Sequence, residues 1–114
     1  MSDETVIIRK AAPTYAYLFL MDGVRRGEHV ALKAEGTTVG RSSEADIVLD
    51  DLTVSEEHAR FRFEGDTWYV YDLASANSVL VGGEPIRRHA LVDKDRLQIG
   101  MANLVFRLVR YETR

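Results

Sequence analysis

The residues of this chain that could do chemistry gather in VGRSSEADIVLDDLTVSEEHARFRF, Val39 to Phe63, where Gly40-Arg41 is followed by Ser55-x-x-His58. With Asp72 downstream, Ser55 and His58 spell the three letters of a hydrolase triad. A nucleophilic serine needs a sharp Gly-x-Ser-x-Gly elbow, a base within reach and an oxyanion hole. Ser55 lies in TVSEEHA with no glycine on either side. The reading is therefore non-catalytic. His29, His58 and His89 stand apart and lack the short His or carboxylate spacings that make a ligand pair, so no metal and no cofactor are expected.

Arg41 suggests a different chemistry. A guanidinium placed after Gly40, where the backbone can turn, and before Ser42 and Ser43 is suited to gripping a phosphate through forked hydrogen bonds. Such a pocket holds an anion without changing it.

Positioning these side chains falls to short strands. Stretches rich in β-branched and aromatic residues recur at Tyr15 to Met21, His29 to Leu32, Thr37 to Val39, Ile47 to Leu49, Ala59 to Phe63, Trp68 to Asp72, Val79 to Val81, Arg96 to Ile99 and Leu104 to Val109. Turn residues separate them: MDGVRRGE after the first, EGD at Glu64 to Asp66 and VGGEP at Val81 to Pro85, the last two reading as hairpins. Alternation in HARFRFEG puts Ala59, Phe61 and Phe63 on one face and Arg60 and Arg62 on the other. SSEADIVLDDLTVSEE is the one long irregular segment, and a large loop on a rigid sandwich usually carries function. The expected fold is an all-β antiparallel sandwich, with residues 1–14 a tail or edge strand, 15–110 the domain and 111–114 a C-terminal tail.

With 114 residues, 46% of them apolar, and no cysteine, the chain must be stabilised by packing around a single core. The net charge of −3 comes from Lys and Arg scattered among Asp and Glu, which argues against nucleic-acid binding along a phosphate backbone. No apolar run approaches the roughly 20 residues of a membrane span, so no direct membrane insertion is expected. The acidic MSDET lacks a signal-peptide start. A cytoplasmic location is expected, either alone or as a cytosolic domain of a larger or membrane-anchored protein.

Four ordered segments together carry a resemblance: Gly40-Arg41, Ser55-x-x-His58, DLASANSVLVGGEPI (Asp72 to Ile86) and LVDKDRLQIG (Leu91 to Gly100). They resemble the forkhead-associated (FHA) family, whose pattern is Gly-Arg, Ser-x-x-His, Ser-x-Asn-Gly-Thr-x-Val-Asn-Gly and Gly-Asp-x-Ile-x-Ile-Gly. The likeness spans about residues 15 to 109. It implies an eleven-stranded FHA/SMAD-like β-sandwich whose loops at one end bind a phosphothreonine peptide. Arg41 would grip the phosphate, Ser55 would donate its hydroxyl to it, and Asn77 would hydrogen-bond the peptide main chain. His58 would brace the loop carrying Ser55, and Gly40 would allow the turn. Ser42, by its chemistry and neighbourhood, is a further candidate phosphate donor. The implied partner is a phosphothreonine-containing protein written by a Ser/Thr kinase, and the implied state is a monomer.

The sequence departs from that pattern at named places. Glu56 and Ser78 fall at further positions of the implied phosphopeptide-binding set, and Glu56 stands where the family commonly carries Arg, Lys or Asn. A carboxylate near 4 Å from a phosphate charge is opposed by about 1 kcal/mol in water and several times that at a protein surface, unless an arginine neutralises it. Ser78 replaces the glycine after Asn77, Ala76 removes a side-chain donor, Val79 replaces threonine, and Gly82 replaces the second asparagine. If that glycine serves a positive φ, Ser78 carries about 1 kcal/mol of backbone strain. Lys94 replaces the glycine before Asp95, read as a surface turn difference. The alternative function is an FHA fold that binds protein without phosphate. Thr5, in the acidic DETVIIR, is a candidate phosphorylation site.

Overall fold

Residues 14–110 are described by a computed structural model of the chain. Residues 1–13 and 111–114 lie outside the described residues, and with them Thr5. Eleven strands follow one another: β1 (Thr14–Leu20), β2 (His29–Ala31), β3 (Thr37–Gly40), β4 (Ile47–Val48), β5 (Ala59–Glu64), β6 (Thr67–Asp72), β7 (Val79–Val81), β8 (Glu84–Ile86), β9 (Arg88–Ala90), β10 (Arg96–Ile99) and β11 (Ala102–Arg110). They form a six-stranded sheet in the order β2-β1-β11-β10-β7-β8 and a five-stranded sheet in the order β4-β3-β5-β6-β9. No helix among the described residues is long and apolar enough to cross a membrane.

Alternation decides which side chains form the core. Along β5, Ala59 and Phe61 are buried while Arg62 is exposed, and along β6, Trp68 and Val70 are buried. The opposing sheet contributes Leu18, Leu97, Ile99, Leu104 and Phe106, each at most 2% exposed. Burying a side chain of this size is worth about 1.5–3 kcal/mol. Trp68 stacks obliquely between Phe63 and Phe106, with ring centroids 5.3 and 6.4 Å away.

The strand readings from sequence all recur, with ends shifted by at most two residues, and two strands join them. β8 and β9 are three residues each, EPI and RHA, and too short and polar to show a period. β7 and β8 form the hairpin expected at VGGEP, turning through Gly82 and Gly83, whose φ values of 57° and 87° suit a two-residue primed turn. One pairing is not antiparallel: β3 and β4 run parallel, with Val39 opposite Ile47 and Gly40 opposite Val48. The chain from Arg41 to Asp46 does not reverse as a hairpin but doubles back to the start of β3. There the Asp46 carboxylate accepts from the Thr38 amide at 2.9 Å and the Thr38 hydroxyl at 3.2 Å. This return holds Arg41 at the end of the sandwich.

Candidate functional site

The segments after β3, β4, β6 and β10 are bound to one another at one end of the sandwich. Gly40 makes the closest approach: a Cβ there would sit 2.0 Å from the Glu56 carbonyl oxygen, so only glycine lets the first segment lie on the second. Directly beyond it, the Arg41 amide donates to the Ser55 carbonyl at 2.9 Å and the Ser42 amide to the Glu56 carbonyl at 3.2 Å.

His58 ties the segments after β4 and β6 to each other and to strand β3, and is wholly buried. Its Nδ1 lies 3.0 Å from the Ser55 amide nitrogen and its Nε2 lies 2.7 Å from the Ser78 carbonyl. An amide N–H only donates and a carbonyl only accepts, so the ring is neutral with its proton on Nε2. The His58 amide donates to Val39 and its carbonyl accepts from Leu73, at 2.9 and 3.0 Å. Ser78, where the family has glycine, holds a φ of 64°, the left-handed conformation that its sequence position suggested. Lys94 also turns left-handed, with φ 77°, so its departure from the family pattern burdens the backbone and is more than a surface difference.

Sequence reasoning missed Thr53. Its carbonyl accepts from Asn77 Nδ2 at 2.8 Å and its hydroxyl oxygen accepts from the Met101 amide at 2.8 Å, joining the β6–β7 segment to the β10–β11 turn. The Asp51 carboxylate in turn accepts from the Thr53 hydroxyl at 2.6 Å and the Thr53 amide at 2.8 Å. Those two donors, the hydroxyl first, hold the Asp51 carboxyl below its ordinary 3.8. The signal was present in the letters Asp-Leu-Thr, since an Asp two residues before a Thr in an irregular segment is a local side-chain-to-backbone motif.

The donors left over define what this end can hold. Ser55 Oγ accepts from the Ala76 amide at 3.0 Å, which leaves the hydroxyl proton free to be given away. Ser42 Oγ accepts from the Glu44 amide at 3.0 Å and is left in the same condition. Arg41 spends its Nε–H on the Val54 carbonyl at 3.0 Å, which fixes the plane of the guanidinium and leaves its terminal nitrogens to an anion. Asn77 uses one amide proton on Thr53 and retains a second proton and its carbonyl oxygen. Leu52 and Met101, 90% and 64% exposed, give the rim an apolar margin. Glu56 is turned toward the arginine: its Oε2 lies 3.6 Å from Arg41 Nη1, with the two side chains 69% and 34% exposed.

The triad letters are not brought together. Both ring nitrogens of His58 are occupied by backbone groups, and Ser55 Oγ meets Ala76, not the imidazole. Asp72 accepts from the Ser75 amide at 3.3 Å and from the Ser75 hydroxyl. No nucleophile–base pair exists among these three residues.

Arg41, Ser55, His58 and Asn77 thus occupy one end of an eleven-stranded sandwich, and comparison with known proteins points the same way. Residues 37–100 match the sequence model of the FHA domain. The chain is 42% identical over 91 residues to an oxoglutarate dehydrogenase inhibitor of Corynebacterium jeikeium, covering 80% of this chain and 63% of that protein. It is 41% identical over 91 residues to the glycogen accumulation regulator GarA of Mycolicibacterium smegmatis, covering 80% of this chain and 58% of that protein. The chain therefore spans about three fifths of the length of these relatives. Among solved structures, Mycobacterium tuberculosis EmbR in complex with a low-affinity phosphopeptide superposes with a TM-score of 0.78 at 31% identity, covering 97% of this chain and 30% of that one. With more than half of the sequence matched by the family pattern and the same sandwich built from it, the chain belongs to the FHA domain family.

Proposed function

We propose that this domain is a non-catalytic phosphothreonine-peptide recognition module that acts as a protein–protein interaction adaptor in kinase signalling. FHA domains are phosphothreonine-binding adaptors. Arg41 and Ser55 take the phosphate, Ser42 adds a third donor, and Asn77 reads the peptide main chain with its spare donor and acceptor together. Gly40 and His58 hold the loops, and Ser78 serves through its carbonyl on His58. The partner is a protein phosphorylated on threonine by a Ser/Thr kinase, met in the cytoplasm by a monomeric domain.

One observation supports this reading above the rest. Arg41 Nε and Ser55 Oγ are each held by a backbone group, which leaves the Ser55 hydroxyl proton free and turns the Arg41 terminal nitrogens outward, where the exposed Glu56 carboxylate lies 3.6 Å from Nη1. Such a site is preorganised, so a dianion gains several charge-assisted hydrogen bonds at little ordering cost.

A second reading, protein binding without phosphate, is favoured by the Glu56 carboxylate beside Arg41. Calorimetric titration with a degenerate phosphothreonine peptide library and its unphosphorylated twin separates the two. The phosphothreonine reading expects binding only to the phosphorylated library, weakened by Arg41→Ala about tenfold to a hundredfold. Equal binding of both libraries, or of neither by the folded domain, rejects it.

A further inference from the structure

The loops that form the candidate site carry one arginine, Arg41, against six carboxylates: Glu44, Asp46, Asp50, Asp51, Glu56 and Glu57. Two of the six are committed inward, Asp46 to Thr38 and Asp51 to Thr53. Of the neighbouring cations, Lys33 lies 3.6 Å from Asp46, and Arg25, on the adjoining β1–β2 connection, is taken by Glu28 at 2.8 Å and by the Val48 carbonyl at 3.0 Å. Of the acidic rim it is Glu56 that touches the phosphate-directed guanidinium, and it does so from an exposed position.

That contact creates an exchange problem for the ligand. A phosphate settling on Arg41 brings two negative charges beside the Glu56 carboxylate, which loses its share of the guanidinium. The Glu56 backbone cannot retreat, because its carbonyl accepts from the Ser42 amide at 3.2 Å and lies against Gly40. The carboxylate must either swing into water or find another cation, and a peptide can supply one. We propose that Glu56 is a specificity-determining residue that takes a lysine or arginine flanking the phosphothreonine, so that this domain prefers phosphothreonine in a basic context. The inference rests on the phosphothreonine reading above. It makes the remaining acidic rim, Glu44, Asp50 and Glu57, a reinforcing field that repels acidic flanks.

The test uses synthetic phosphothreonine peptides that carry Lys, Ala or Glu at one position at a time on either side of the phosphothreonine. They are titrated by fluorescence anisotropy against the wild-type domain, Glu56→Gln and Glu56→Lys. At one flanking position the wild type is expected to bind the Lys peptide about tenfold more tightly than the Glu peptide at low salt, and high salt compresses the ratio. Glu56→Gln should bring that ratio to within about twofold, and Glu56→Lys should invert it. An identical Lys-over-Glu ratio in wild type and Glu56→Gln, or no ratio in either, overturns the inference and leaves the phosphothreonine reading standing. Failure of every phosphopeptide to bind either folded protein overturns both.

Discussion

Ser78 shows how a single departure is absorbed. Its φ of 64° is the conformation that glycine adopts freely, and a residue with a Cβ pays about 1–2 kcal/mol to hold it. The loop keeps the conformation because the Ser78 carbonyl is fixed on buried His58. Ser78→Gly removes the strain but adds freedom to the unfolded chain, so the net gain should be about 0.5 kcal/mol and the melting temperature should rise by about 2–4 °C. Ser78→Ala keeps the strain and should leave the melting temperature where it is. A fall in the glycine variant would mean that Ser78 does not hold the left-handed turn. Since glycine inherits the same φ, affinity for a phosphothreonine peptide should stay within about twofold of wild type, an expectation that the titration above can check.

Among the elements, the loop after β4 depends on acid–base state through its own carboxylates. Asp51 is held below its ordinary 3.8 by the Thr53 hydroxyl and amide, so the folded loop binds the ionised form preferentially. This support is complete above 3.8 and is lost as pH falls through the lower folded-state value. Asp46, lowered first by the Thr38 amide, places the same dependence on the return from β3 to β4. Amide exchange followed from pH 6 to pH 2 should show Thr53 and Met101, whose amides donate to the Asp51 carboxylate and the Thr53 hydroxyl, losing protection below about pH 4, ahead of the β1 amides. Asp51→Asn should abolish the early phase; simultaneous loss everywhere in both proteins would refute it. The same loop marks the limit of what could be read from sequence. Strands that alternate, such as β5 and β6, or that run apolar between turns were legible because period and length are local properties. β8 and β9 were not, since three residues contain no period and their strand character comes from neighbours that are distant in sequence. In the site, Arg41, Ser55, His58 and Asn77 were singled out by the resemblance of four ordered segments to the FHA pattern, and they lie together at one end of the sandwich. The Glu56–Arg41 contact and the Thr53 junction depend on which segments fold against each other, and spacing along the chain does not give that.

At the scale of the whole molecule, the first and last described strands are partners: β1 pairs with β11 from Thr14 opposite Arg110 to Leu20 opposite Leu104. The pair lies inside the six-stranded sheet, flanked by β2 and β10, so that sheet is complete only when the first and last described strands meet. Closing so long a loop is entropically costly and slow, whereas the Gly82–Gly83 turn is local and lies at the far end of β7 from Asn77 and Ser78. Residues 14 and 110 are near enough for a short Gly/Ser linker to join them, and the chain can then be opened between Gly82 and Gly83, whose Cβ positions would meet nothing within 4 Å. This circular permutant should fold to the same sandwich and, because every loop of the candidate site remains intact, bind the same peptides as the parent within about threefold. It should also fold faster if β1–β11 closure limits the rate, since that pairing becomes a hairpin. Stopped-flow refolding beside peptide titration reads both quantities. A permutant that folds at the parental rate would place the limiting step elsewhere, and one that folds but loses affinity would show that the site depends on the far turn as well as on its own loops.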